Sequence, residues 1–60
     1  METNSHPTTR PRILVVDDDR KITSALRRGL TYEGYSVEVA NGGAEALAMV
    51  RDSPPDLVVL

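Results

Sequence analysis

The chain has 60 residues, seven Lys and Arg against nine Asp and Glu for a net charge of −2, and no cysteine. That length allows at most one small domain, and the composition excludes disulfides and thiolate metal sites. A weakly negative chain has no bulk attraction for nucleic acid or an anionic membrane, and no apolar run reaches spanning length, so the chain reads as cytoplasmic with no membrane partner.

Residues 1–11 are polar, carry Pro7 and Pro11 and show no periodicity. They are expected to be a disordered leader, with His6 inert within it and no apolar stretch of a secretory signal. Residues 12–16, Arg-Ile-Leu-Val-Val, form a short apolar run rich in β-branched side chains, which predicts a strand buried on both faces. The run stops abruptly at Asp17-Asp18-Asp19.

Residues 21–33 place Ile22, Ala25, Leu26, Gly29 and Leu30 at the spacing of one helical face. Asp18 or Asp19 can cap the start of this helix, and Gly34 can stop it in a left-handed conformation. Gly29 inside a helix suggests close packing. Residues 35–40 alternate, with Val37 and Val39 on one face and Ser36 and Glu38 on the other, as in a strand with one exposed face. Asn41-Gly42-Gly43 is a turn, and residues 44–51 form a short helix stopped by Ser53-Pro54-Pro55. Asp56 then leads into a second buried-strand run at 57–60.

Helices between strands imply a βαβαβ unit with parallel pairing and right-handed crossovers, in an α/β fold. In such sheets ligands bind at the carboxyl ends of the strands, where Asp17, Asp18 and Asp19 stand. Neighbouring carboxylates repel one another, and a divalent cation relieves that repulsion. Mg²⁺ suits carboxylate and water oxygens in an octahedral shell. Two other readings stay open. Helix capping alone accounts for some of the acids. Asp-x-Asp after a buried strand also occurs in haloacid-dehalogenase-like phosphatases, where Asp17 would be the nucleophile and Asp19 the general acid.

The segment Ile13-Leu14-Val15-Val16-Asp17-Asp18-Asp19 resembles the opening of the response-regulator receiver domains of bacterial two-component systems. Gly34-Tyr35-Ser36-Val37-Glu38-Val39-Ala40 resembles their second strand, Gly43-Ala44-Glu45-Ala46-Leu47 the start of their second helix, and Pro55-Asp56-Leu57-Val58-Val59-Leu60 their third strand. The four stretches come in order and without a gap over residues 12–60, read as the N-terminal half of a receiver domain.

The resemblance implies a flavodoxin-like (CheY-like) receiver fold, here its first βαβαβ portion, with sheet order 2-1-3. It implies Mg²⁺ as cofactor, held by Asp17 and Asp18, and no enzymatic turnover of its own. The phosphoacceptor aspartate of the family would follow Leu60 directly. A sensor histidine kinase is the implied partner, with Lys21, Ile22, Ala25 and Gly29 at matching docking positions. Arg27-Arg28-Gly29-Leu30 before Tyr32-Glu33-Gly34-Tyr35 is similar to OmpR-type transcription regulators. DNA would then be bound only through an output domain beyond this sequence, and a dimer would form only through elements beyond it. A pseudo-receiver that only mediates protein contacts is the remaining alternative.

Overall fold

The computed structural model describes residues 10–60, so the leader expected over 1–11, His6 included, lies outside the described residues as far as position 9. The elements run β1 (Arg12–Val16), α1 (Arg20–Tyr32), β2 (Ser36–Ala40), α2 (Gly43–Asp52) and β3 (Leu57–Val59). The fold is α/β, and the expected parallel sheet is present with order β2-β1-β3. The register aligns Val15 with Val39 on one side and with Val59 on the other.

The path explains the layers. The chain steps from β1 to β2 in one direction and from β2 past β1 to β3 in the other. Crossovers of a single hand then set the two helices on opposite faces of the sheet. Leu14, Val16 and Ala40 point to the α2 face and pack against Ala46, Met49 and Val50. Ile13 and Val15 point to the α1 face, as the alternation of a strand requires. β1 is central, and four of its five residues are buried. That is the continuous apolar strand its sequence predicts.

The amino ends are clasped by Arg12. Its guanidinium donates to Glu38 Oε1 at 3.0 Å and to the carbonyls of Ser53 and Pro54 at 3.2 and 2.8 Å. Its backbone N–H donates to Asp56 Oδ2 at 2.7 Å. One side chain thus ties β1, β2 and the loop before β3 together, at the end of the sheet away from the acidic triplet. The ladder also extends to Pro11, whose carbonyl accepts from the Ser36 N–H at 2.9 Å.

Both ends of α1 are built from the residues that the sequence marked. Asp19 is the N-cap, and its Oδ1 accepts from the N–H groups of Lys21 and Ile22 at 2.9 and 3.3 Å. At the other end Gly34 adopts φ 102°. The Gly34 N–H donates to the Thr31 carbonyl, and the Tyr35 N–H joins that of Glu33 on the Leu30 carbonyl, so carbonyls of the last turn are satisfied. An Asp19→Ala substitution is expected to lower stability by about 1 kcal/mol, read as a shift of the urea midpoint of the full chain. An unchanged midpoint would show that the cap carries no stability.

The inner line of α1 differs from the periodic face read from sequence. Thr23 is the buried residue of the helix, with its hydroxyl donating to the Arg20 carbonyl at 3.3 Å, and Leu30 is half-buried. Ile22 and Leu26 remain exposed at 47% and 36%. The reason is sheet width. α1 packs on β1 and β2, and at about 100° per residue Ile22 lies roughly 100° around the helix from Thr23. Its apolar flank therefore overhangs the β3 side, where no described element covers it. Gly29 stands on this flank, and a Cβ there would meet nothing within 4 Å, so close packing does not account for it among the described residues. β3 is likewise bare. Leu57 and Val58 point to opposite faces, yet both are exposed, and no described helix packs on that strand.

Candidate functional site

In an open parallel sheet the ligand crevice lies outside the carboxyl ends of the strands, at the point where successive connections leave in opposite directions. With order β2-β1-β3 that point falls between β1 and β3. Asp17, Asp18 and Asp19 follow β1 at this position.

The three aspartates have separate tasks. Asp17 continues the ladder, its N–H donating to the Ala40 carbonyl at 3.1 Å, and it is half-buried. Its Oδ1 accepts the Asp19 N–H at 2.9 Å, which fixes the carboxylate's direction. Asp19 spends its Oδ1 on the helix cap. Asp18 is exposed, and its carboxylate accepts none of the hydrogen bonds among the described residues. The triplet thus reduces to one structural cap, Asp19, and two further carboxylates at the carboxyl end of β1. A general-acid role for Asp19 is at odds with that capping.

The donor set is hard oxygen, which fits a Mg²⁺ ion that keeps several of its waters and takes one or two carboxylates. Among the described residues no group of three His, Cys, Asp or Glu side chains could hold a metal by itself. Asp17 and Asp18 could supply at most part of such a shell, and its other oxygens would have to come from water or from a neighbouring strand end. The register indicates which strand. Val15 pairs with Val59, so in a longer chain the residue after Leu60 would come level with Asp17. Asp56 is not that neighbour, because its N–H and carboxylate are bonded to the Arg12 backbone at the far end of β1.

The positions matched to kinase docking, Lys21, Ile22, Ala25 and Gly29, are all exposed on α1. Sequence reasoning did not single out Arg20, Ser24, Arg27 and Asn41, which the structure brings to one shallow groove between α1 and the end of β2. Their signal was present as the i, i+4, i+7 spacing of the first three. No helix among the described residues is long and apolar enough to cross a membrane.

The family model described as "Response regulator receiver domain" matches residues 13–60. Proteins named "Response regulator MprA" are similar over 49 residues, 82% of this chain. That of Mycobacterium leprae (strain TN) is 59% identical, and the match covers 22% of its length. Those of Mycobacterium sp. (strain KMS) and Mycobacterium tuberculosis (strain ATCC 25177 / H37Ra) are each 57% identical, with 21% of their lengths covered. The chain thus spans about a fifth of the length of the curated relatives it matches.

Proposed function

The chain belongs to the response regulator receiver domain family, and from that premise we propose that it supplies the metal-holding half of a phosphoryl-acceptor site. The observation that carries this reading is the pair Asp17 and Asp18 at the β1 end of the switch point, beside the end of β3. Asp17, aimed by the Asp19 N–H, and Asp18, free of described hydrogen bonds, would hold Mg²⁺. A cation held by these two carboxylates would supply positive charge to offset that of a transferring phosphoryl group.

The acceptor in this reading is an aspartate placed after Leu60, level with Asp17. Its carboxylate oxygen forms the new O–P bond as the N–P bond of a kinase phosphohistidine breaks. The chain is then a phosphoryl acceptor rather than a turnover enzyme. The donor partner is a sensor histidine kinase, docked on the α1 flank of Lys21, Ile22, Ala25 and Gly29. That flank is exposed and mixes a cation with apolar and small residues, which is compatible with a protein interface. The relatives are named response regulators, and in this reading the chain is part of an OmpR-type, cytoplasmic transcription regulator that binds DNA through a separate output domain.

The full chain carrying Asp18→Asn should lose Mg²⁺-dependent phosphorylation by roughly 100-fold or more, because metal assistance contributes several kcal/mol. The check is the rate of acetyl phosphate labelling with and without Mg²⁺. A wild-type rate in the variant would remove Asp18 from the site. A wild-type full chain that takes no label at all would favour the pseudo-receiver.

A further inference from the structure

α1 carries Arg20, Lys21, Arg27 and Arg28, four of the seven basic side chains of a chain whose net charge is −2, and no acidic residue. Two of these cations occupy its first turn, and none its last. The helix dipole makes that the unfavourable end for positive charge, so the placement weakens the helix rather than supporting it. Among the described residues the one ion pair is Arg12 with Glu38, and the α1 cations have no such partner. Local rules are most often broken at functional sites, and Arg20, one of the two first-turn cations, also lines a groove.

The cations also sit in a particular place. At about 100° per residue, Arg20 and Arg27 stand roughly 140–160° around the helix from Ile22, so they occupy the flank opposite the apolar one. Arg20, Ser24, Arg27 and Asn41 line an open depression of about 270 Å³ between α1 and β2. A second depression, of about 360 Å³, shares Ser24 and Arg27 and continues past Arg28 to Thr31. Together they form a basic, hydroxyl-lined trough along the helix. It is too shallow to enclose a small molecule, which calls for a cavity that buries most of its ligand. It suits an elongated occupant lying along the helix.

We infer that this α1–β2 trough docks a short acidic segment of a partner protein, on the side of α1 away from the kinase-matched flank. Arg20 and Arg27 are seven residues apart, a rise of about 10 Å, which matches carboxylates seven residues apart on a facing helix. Arginine pairs carboxylates bidentately, and the Ser24 hydroxyl and Asn41 amide between and beside them can bond the same oxygens. A long polyanion fits less well. The chain is net negative, and Asp17, Asp18 and Asp19 stand directly before the N-terminal end of the trough. They would repel a nucleic-acid backbone that runs beyond it.

The test is binding of the full chain to a synthetic helical peptide with glutamates seven residues apart, followed by fluorescence anisotropy at low and high salt. The Gln-for-Glu peptide and a single-stranded oligonucleotide of equal charge serve as comparison probes. The peptide should bind, and Arg20→Gln with Arg27→Gln should weaken it about tenfold, as should raising the salt. Arg51→Gln, a charge loss on α2, should leave binding unchanged. Circular dichroism of the double variant should match the wild type, since both arginines are exposed. Three results would overturn the inference: no peptide binding, equal binding by the double variant, or tighter binding of the oligonucleotide through the same two arginines.

Discussion

Residues 1–60 alone should take no phosphoryl group from acetyl phosphate and Mg²⁺, whereas a chain continued through the rest of the receiver fold should take one, on the residue after Leu60. Phosphoryl transfer to a side chain requires a carboxylate nucleophile in line with the leaving group, charge stabilisation on the equatorial oxygens, and fixed positions for both. Within these residues, Asp17 and Asp18 suit the stabilising role. Asp17 has one oxygen tied to the Asp19 N–H, and Asp19 has one tied to the helix cap. Asp56 sits at the amino end of β1, bonded to Arg12, about 15 Å from the crevice at roughly 3.3 Å per strand residue. Intact mass measurement of both proteins should show one hydroxylamine-labile phosphoryl adduct, in the longer one only. A label on Asp17 in residues 1–60 would instead support a phosphatase-like nucleophile.

Leu14→Ala should be the most damaging single truncation of the core. Leu14 is 1% exposed at the centre of β1 and packs with Val16 and Ala40 under α2. Removing a buried leucine side chain costs about 2–5 kcal/mol, the lost transfer energy plus a cavity that closes only in part. Small domains hold only about 5–15 kcal/mol in total, so the full chain should show a sharply lowered urea midpoint or no cooperative transition. Tyr32→Ala, at a site 88% exposed, should shift the midpoint by no more than about 0.5 kcal/mol. Equal effects at the two sites would mean that β1 is not the centre of the core.

Much of this was written locally along the chain. β1 was legible because four successive β-branched or leucine side chains have few other uses in a short segment. Its bounds of 12–16 agree with the structure. The stop of α1 was legible because only glycine adopts the φ of Gly34 without strain. The acidic triplet was legible as a candidate site because it follows a buried strand at the end where sheets bind ligands. The expected sheet order 2-1-3 rested on the family resemblance, since periodicity alone does not say which strands are neighbours.

By itself, then, the sequence determined the five elements, the glycine stop of α1 and the placing of an acidic cluster at a strand end. These depend on side-chain periodicity and backbone chemistry within a few residues. Tertiary structure alone decided which aspartate became the cap, which face of α1 turned inward and which cations met β2. Ile22 and Leu26 have the right spacing for a core face, yet Thr23 is buried in their place. Burial depends on the width and position of the sheet beneath the helix, and here β1 and β2 lie under one flank of α1 and leave the other uncovered. The trough likewise needs Asn41, fourteen residues beyond Arg27 in the chain, to be brought beside α1 by the pairing of β2 with β1.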